Sequence, residues 1–384
     1  MPSRAGWRRI LTVFAVSKVI AVVALFAGFW FNFFPFNSWN YVAYTLDAAG
    51  FQLPFINWDG QWYLRIAVLG YEPPPSLTVV FYPLLPALIA SVMRLGLEPI
   101  NAGLVVVTLF SATALLTLER LLPREERGPS SLWLLASYPT AFYLSTLYNE
   151  ALFLTAFFGL LWSLRDARRA PWALLCAAAL PLTRGQGLWL AAPLVAAWLV
   201  LQLRRVRPGA GASLAAEPAS LASATVGYAL GAAVYFAYFG AAFGNPLIGV
   251  QMAPEMGTGT RLANLFDLPR FLGMLFGPTD RLLDVRQSAF DKTMMLLSFL
   301  ALLFAVARGV RDPFLLTAWA CLAVLPAMMG EGTSYGRYSL LAWACFVPAV
   351  GPSLGAPAKW TLILAGFAAQ AWLAYQFGGN RWVG

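Results

Sequence analysis

The sequence predicts an all-α protein that crosses a membrane several times. Of its 384 residues, 60% are hydrophobic and only 11% are charged, whereas a soluble domain carries about 25% charged residues. The mean hydropathy is +0.67. Apolar runs recur along the whole chain, and several approach the roughly 20 residues that an α-helix needs to cross the hydrocarbon core.

The first apolar run predicts a membrane span with a cytoplasmic N-terminus. The run covers about 10–30 and follows Arg4, Arg8 and Arg9. It is too long for a signal peptide, and no small-residue cleavage site follows it. Basic residues gather on the cytoplasmic side of spans, which sets the orientation of this first helix.

The segment 31–99 is predicted to lie outside the cytoplasm. Its apolar stretch 81–95 is too short to span. Placing that stretch in the membrane interface lets the arginine-rich loops further on fall on the cytoplasmic side. The remaining runs bring the total to about eleven spans, the later ones near 100–119, 131–147, 150–164, 171–183, 187–203, 219–243, 292–307, 313–330, 337–351 and 358–377.

A stretch rich in Gly, Ala and Pro predicts a flexible cytoplasmic linker at 204–220. It follows an N-terminal half, 1–203, that contains the external active-site loop 31–99. It precedes a C-terminal transmembrane half, 221–384, with a second external loop at 244–291. No internal repeat of the transporter kind is evident.

Composition also limits the chemistry. The chain has no histidine, so imidazole is excluded as a base or metal ligand, and its three cysteines lie in apolar runs without zinc-site spacing. Acid–base chemistry must fall to Asp or Glu, and phosphate binding to Arg or Lys. The net charge of +9 comes mostly from short clusters between apolar runs, which indicates membrane topology rather than nucleic-acid binding.

Residues 57–86 are the most polar and aromatic part of the chain, and Asp59 is their candidate catalytic group. Asp59 could cap the helix that the following pattern predicts. Asn57 can supply the capping oxygen equally well, which would leave the Asp59 carboxylate free in the first helical turn. Because a site without histidine needs a carboxylate base, we favour catalysis for Asp59.

Other residues of the same segment are candidates for substrate binding. Trp58 and Gln61 flank Asp59. Glu72 is either a second acid or a residue that hydrogen-bonds within the loop. Tyr82 either contacts a substrate or belongs to the aromatic belt of the membrane interface.

A tight external turn between two predicted spans contains Tyr148, Asn149 and Glu150. These residues either bind substrate or begin the next helix, by capping and by favourable interaction with the helix dipole. The two interpretations are equally compatible with the sequence.

Two arginines lie at predicted external membrane boundaries. Arg184 and Gln186 belong to L-T-R-G-Q-G-L, and Arg337 and Tyr338 belong to G-E-G-T-S-Y-G-R-Y. An arginine there can extend toward lipid headgroups or bind a phosphate bidentately. We favour phosphate binding for Arg337, and Gln251 in the external loop is a further candidate for binding the same ligand.

The motif W-D-G-Q-W-Y-L-R-I-A-V-L-G-Y, followed by F-Y-P-L-L-P, resembles the PIG-V family of mannosyltransferases and their bacterial relatives. This chain has Asn57 where the family often has Arg. L-Y-N-E-A at 147–151, T-R-G-Q-G at 183–187 and the pair Arg337–Tyr338 are similar to further family motifs. Together these motifs span most of the chain.

The resemblance implies a fold and a reaction. The PIG-V family belongs to the GT-C superfamily of polytopic glycosyltransferases, which have short external helices after the first span. It implies transfer of mannose from a polyprenyl-phosphate donor to a hydroxyl of a lipid or glycan acceptor, with inversion, on the non-cytoplasmic face. Asp59 matches the acidic residue that the superfamily uses as its catalytic carboxylate. No cofactor is predicted, although Asp59 with Glu72 or Glu150 could hold one divalent cation.

A transporter or flippase for a lipid-linked sugar is the alternative. Aromatic residues and arginines on one face would suit binding as well as catalysis. A transporter predicts repeats and charged or broken helices near the middle of the membrane, whereas the polar residues here gather at one surface. A third interpretation is an enzyme-like subunit without activity of its own.

Overall fold

The computed structural model describes residues 4–33, 50–126, 128–206, 216–256, 261–279, 281–284, 288–330 and 332–383. Within these ranges the protein is all-helical and has no β-strand. The α-helices are α1 (Arg4–Asn32), α2 (Asp59–Leu69), α3 (Leu84–Met93), α4 (Pro99–Leu121), α5 (Leu132–Ala136), α6 (Glu150–Ser163), α7 (Ala170–Thr183), α8 (Gly185–Trp189), α9 (Ala191–Val206), α10 (Pro218–Phe243), α11 (Ile248–Met252), α12 (Leu268–Phe276), α13 (Ala289–Ala307), α14 (Pro313–Met329), α15 (Tyr335–Ala349) and α16 (Ala356–Gly378). Short 3-10 turns connect several of them, and most of the predicted linker at 204–220 lies outside the described residues.

Five helical stretches of the described chain are long and apolar enough to cross a membrane, namely Gly6–Asn32, Pro99–Leu121, Gly185–Leu203, Pro218–Phe243 and Ala289–Ala307. On α10, Val226, Leu230 and Val234 are 52%, 53% and 56% exposed. Such a row of apolar side chains, spaced four residues apart on one helix face, suits contact with lipid rather than water. The all-α prediction is confirmed, and these helices are compatible with a polytopic membrane protein.

Several predicted spans correspond to shorter helices. The stretch 81–95 contains only the ten residues of α3, about 15 Å of helix, which is half the hydrocarbon thickness. The segments predicted at 150–164, 171–183, 313–330 and 337–351 form α6, α7, α14 and α15, each of 14 to 17 residues.

The segment predicted as a span over 131–147 is not one continuous helix. Helix α5 ends at Ala136, and a 3-10 turn covers Ala141–Ser145. Pro139 lies between them, and a proline has no N–H for a helical hydrogen bond. We call 132–148 the broken segment. Almost all of it is buried inside the bundle, which is where irregular backbone is tolerated at membrane depth.

Polar side chains from the first spans bind the broken segment. Lys18 of α1 and Ser111 of α4 both donate hydrogen bonds to the carbonyl oxygen of Leu144. Lys18 Nζ also lies 3.2 Å from Ser111 Oγ. A lysine within an apolar span therefore has a structural function, because it satisfies a carbonyl that no helix satisfies.

Two helices near the C-terminal end of the chain also donate hydrogen bonds to carbonyl groups of the broken segment. The indole N–H of Trp343 in α15 donates to Leu134 O at 2.8 Å. The amide of Gln370 in α16 donates to Ala136 O at 3.0 Å. The broken segment is thus held by hydrogen bonds from four surrounding helices.

The bundle has two chemically different ends. Helix α16 is 23 residues long, so its ends lie roughly 35 Å apart. At its start, the buried Lys359 pairs with Glu126 at 2.8 Å. At its finish, Phe377 O accepts a 2.7 Å hydrogen bond from the side chain of Asn57. The segment that carries Asp59 therefore lies at the end opposite Lys359.

Glycines on α10 bring this helix against α7. A Cβ at Gly227 would lie 2.1 Å from Leu174 O, and a Cβ at Gly231 would lie 2.1 Å from Ala178 O. The two helices pack backbone to backbone, through small residues four apart, as membrane helices often do.

Replacing Gly231 with Ala should destabilise the protein, because the added methyl group would collide with Ala178 O. We expect a loss of about 1–3 kcal/mol in the free energy of unfolding, the usual cost of overpacking. SDS titration in mixed micelles would measure it. Gly240→Ala on the same helix is the control, since its Cβ would meet only Pro246 at 3.6 Å. Equal stability of the two variants would contradict the close packing of α7 and α10.

Candidate active site

A cavity of about 740 Å³ opens at the end of the bundle where α16 finishes. Its walls come from the start of α2, the junction of α7 and α8, the region around α11, the end of α14 and the start of α15. Most of the residues predicted to bind substrate line it, namely Trp58, Asp59, Tyr82, Asn149, Arg184, Gln186, Gln251, Arg337 and Tyr338.

An ion pair between Asp59 and Arg337 lies at the cavity surface. Asp59 is the first residue of α2, and Arg337 lies in the first turn of α15. Arg337 Nη1 is 2.6 Å from Asp59 Oδ2, although the two residues are 278 positions apart. A cation is unfavourable at a helix N-terminus, so the nearby carboxylates stabilise Arg337 in this position.

Glu150 connects Arg184 and Arg337, two arginines that line the cavity. Its side chain is completely buried, and its Oε1 is 2.8 Å from Arg184 Nη1 and 3.5 Å from Arg337 Nε. Arg184 Nε also donates to Gln186 Oε1 at 2.8 Å. The result is a continuous chain of polar contacts from Asp59 to Gln186 at the ends of four helices.

Tyr148 fixes the turn that presents Asp59. Its hydroxyl donates to Asn57 O at 3.0 Å and accepts from the backbone N–H of Asp59 at 3.1 Å. Trp58, inside this turn, has a φ of 59°, which a large side chain rarely adopts. Tyr148 itself does not line the cavity, and it acts by positioning its neighbours.

The predicted capping of α2 by Asn57 is wrong. The Asn57 side chain donates to Phe377 O instead, and Trp58 at the N-cap makes no side-chain capping bond. Asp59 does lie in the first turn, but its carboxylate is paired with Arg337 rather than free. The side chain of Asn149 likewise does not cap α6, because it donates to the carbonyl oxygen of Thr183.

Aromatic rings surround the two guanidinium groups. Arg337 lies 5.2 Å from the ring centre of Tyr148 and 5.3 Å from that of Tyr338. Arg184 lies 5.2 Å from the Tyr338 ring. These distances are within the range of cation–π attraction, so Tyr338 helps to hold both arginines.

The remaining cavity candidates lie on the other walls. Tyr82 stacks on Tyr235 of α10, with ring centres 4.9 Å apart. Gln251 of α11 accepts a 2.8 Å hydrogen bond from Asn245. These two side chains form part of the cavity wall and belong to neither of the arginine ion pairs.

Besides Tyr148 and the buried Glu150, two predicted binding residues lie outside the cavity lining. Gln61 is buried behind it, and only 1% of its surface is exposed. Glu72 pairs with Arg65 at 2.7 Å and accepts a 3.0 Å hydrogen bond from Ser76. The hydrogen bond from Arg65, helped by the one from Ser76, lowers the pKa of the Glu72 carboxyl. Glu72 therefore corresponds to the alternative prediction, a residue that hydrogen-bonds within its loop.

The three carboxylates predicted as possible cation ligands do not come together as a divalent-cation site. Among the described residues, no three His, Cys, Asp or Glu side chains gather as a metal site would require. Asp59 and Glu150 are each paired with an arginine, and Glu72 is held elsewhere by Arg65. A magnesium or calcium ion needs a shell of oxygen ligands, which paired carboxylates do not offer.

Sequence reasoning missed several cavity residues, among them Trp382 and Thr333. Trp382 follows the last helix, and no motif distinguishes it from the other tryptophans of the chain. Arg261 also lines the cavity, and the fold selects it from the arginines of the external loop as a possible phosphate ligand.

No protein-family model matches this chain, and no curated protein matches it. The functional interpretation consequently depends on the geometry of the cavity and on the motifs that supply its residues.

Replacing Glu150 with Gln should destabilise the protein strongly. The change removes the charge that Arg184 and Arg337 share in a buried place, and breaking a buried ion pair costs about 3–5 kcal/mol. Glu72→Gln is the matched control, since its pair with Arg65 is partly exposed and such pairs contribute about 1 kcal/mol or less. Unfolding of both variants in mixed micelles gives the comparison. A loss for Glu150→Gln no larger than that of the control would contradict the connecting function of Glu150.

Proposed function

We propose that the protein is a membrane glycosyltransferase that transfers mannose from a polyprenyl-phosphate donor to an acceptor hydroxyl, with inversion. The observation that carries this proposal is the meeting of Asp59, Arg337 and Arg184 at one cavity, from segments far apart in the chain. A carboxylate can serve as the base of such a transfer, and arginines can stabilise its phosphate leaving group. The resemblance of residues 57–86 to the PIG-V motif supports the sugar and the donor.

The proposal includes a GT-C fold with about eleven spans, a cytoplasmic N-terminus and a cavity on the external face. The distribution of charge supports this orientation. Arg9 pairs with Glu119 at the end of α4, and Lys359 pairs with Glu126 in the following loop. These basic residues lie at the end of the bundle away from the cavity, as the positive-inside rule requires for an external site.

Asp59 acts as the general base. The acceptor oxygen attacks the anomeric carbon of the donor sugar from the face opposite the phosphate. Asp59 takes the proton of that hydroxyl. The bond between the anomeric carbon and the phosphate oxygen breaks, and its electron pair leaves with polyprenyl phosphate. A phosphate leaving group is already anionic, so the reaction needs no general acid.

Arg337 and Arg184 stabilise the charge that develops on the leaving phosphate. Only Nη1 of Arg337 makes a short contact with Asp59, at 2.6 Å. Its Nε is buried and lies 3.5 Å from Glu150 Oε1, so this side of the guanidinium group faces the buried carboxylate. The terminal Nη groups are therefore the donors that would orient the base and meet a phosphate.

Transport of a lipid-linked sugar is the second candidate function. The broken segment and Lys18 are features that a transporter would have near the middle of the membrane. None of the residues 132–148 lines the cavity, and their carbonyls bind protein side chains rather than an open path. The cavity contains acid–base and phosphate-binding groups, which favours catalysis.

Replacing Asp59 with Asn should slow sugar transfer severely. Purified protein in lipid nanodiscs would receive radiolabelled polyprenyl-phosphate mannose and a total membrane lipid extract as the source of acceptor. Loss of a general base lowers rates by about 10²–10⁴-fold. Glu72→Gln removes a carboxylate of the same segment that does not line the cavity, and should keep near-normal transfer. Equal transfer by wild type and Asp59→Asn would eliminate Asp59 as the base, and donor binding without any transfer would favour transport.

Arg337→Lys should slow transfer while preserving the positive charge. A lysine cannot reproduce the forked donors that contact Asp59 and the phosphate together. Removing one such donor in other enzymes costs about 10²–10³ in kcat. Arg65→Lys is the matched control, because Arg65 pairs with Glu72 outside the cavity lining. Unchanged kcat for Arg337→Lys would exclude Arg337 from charge stabilisation.

A further inference from the structure

The segment 379–383, which follows α16, folds back onto the bundle. Asn380 turns the chain with a φ of 64°. Arg381 Nη2 donates to Asn32 Oδ1 at 3.2 Å, and Val383 is buried with 1% exposure. Trp382 is thus held by anchored residues on both sides, and its position is fixed by the fold.

Trp382 meets Trp58 at the cavity. The two rings are 4.9 Å apart between centres and nearly perpendicular, at 83°. Both rings line the cavity. We call this pair the tryptophan corner. Since Trp58 directly precedes Asp59, the corner adjoins the carboxylate rather than the Arg184 side of the site.

Trp58 has an unfavourable backbone conformation at this place. Its φ and ψ are 59° and −119°, outside the regions that a large L-residue normally adopts. Residues held in such conformations concentrate at ligand-binding and catalytic sites. The contacts of Tyr148 with both neighbours of Trp58 maintain the conformation and keep the indole in the corner.

Both indole N–H groups of the corner lack an acceptor. Trp58 Nε1 and Trp382 Nε1 are buried and make no hydrogen bond within the described part of the chain. Buried tryptophan N–H groups usually have a partner. A ligand that carries hydroxyl groups would supply the missing acceptors after a small rotation of the rings that brings their N–H groups to the cavity surface.

The chemistry of the corner identifies the class of ligand. A pyranose ring has faces of C–H bonds, whose positive partial charge is attracted to the negative face of an indole. Its hydroxyl groups accept hydrogen bonds from N–H donors. A polyprenyl chain would use the rings but leave the N–H groups unpaired, and a phosphate would bind the arginines.

We propose that Trp58 and Trp382 bind a sugar ring beside Asp59, which makes the segment after α16 part of the active site. The ring belongs either to the donor or to the acceptor, since both meet at Asp59. The assignment of a reaction to this ring depends on the proposed function, but binding of a sugar does not.

Saturation-transfer difference NMR tests the binding. Protein in nanodiscs of phosphatidylcholine, free of glycolipids and sugar detergents, would receive methyl α-D-mannopyranoside. We expect saturation of the ring protons in wild type and a decrease of about tenfold in Trp382→Leu. Trp382→Phe, which keeps an aromatic ring but lacks the N–H, should give an intermediate signal. Trp360→Leu is the control, because Trp360 is 51% exposed at the opposite end of α16. Equal signals in wild type and Trp382→Leu would overturn the proposal. A cooperative thermal unfolding transition in each protein would verify that both are folded.

Steady-state kinetics distinguish the source of the ring. A KM for the donor that rises about tenfold in Trp382→Phe assigns the corner to the donor sugar, and the same rise in the acceptor KM assigns it to the acceptor. Unchanged KM values for both, with transfer still dependent on Asp59, would overturn the sugar corner and leave the transferase intact. Lost sugar binding in Trp382→Leu, with no transfer by any variant, would support the corner and reject the transferase.

Discussion

The buried carboxylate of Glu150 is the interaction on which the cavity depends. It lies between Arg184 and Arg337, which come from different helices and would otherwise place two positive charges together in apolar surroundings. The shared carboxylate fixes the starts of α6 and α15 against the junction of α7 and α8. Only in that arrangement does Arg337 also reach Asp59. A residue that never touches the cavity surface therefore sets the geometry of those that do.

The sequence predicts the candidate catalytic residues better than their partners. Asp59, Arg184 and Arg337 are identifiable because charged residues are few in so apolar a chain and must have a reason to be there. Their pairing is not identifiable, because Asp59 and Arg337 are 278 positions apart and meet only through helix packing. From the sequence, Glu72 and Glu150 are equally good candidates for the site. In the structure, Glu72 pairs with the nearby Arg65, whereas Glu150 is buried by the fold. Trp382 carries no local signal at all.

Hydropathy identifies the helices of the long spans but not the broken segment. An apolar run such as 131–147 has the same composition whether it is a lipid-facing helix or an irregular stretch inside a bundle. The distinguishing information lies elsewhere in the chain, in Lys18 and Gln370, whose polar groups are anomalous within apolar helices. The function of these two side chains is evident only once the carbonyl groups that they bind are known.

The broken segment also constrains the order in which this protein can be assembled in a membrane. Leu134 and Ala136 bind side chains that lie 209 and 234 positions later in the chain. When these residues leave the ribosome, the helices that carry their side-chain donors have not yet been synthesised, and hydrocarbon supplies no hydrogen-bond donor. Until α15 and α16 are in place, the two carbonyls must bind other donors, such as water or the backbone N–H groups of a transient helix. The final arrangement of the broken segment is therefore completed only by the last helices of the chain.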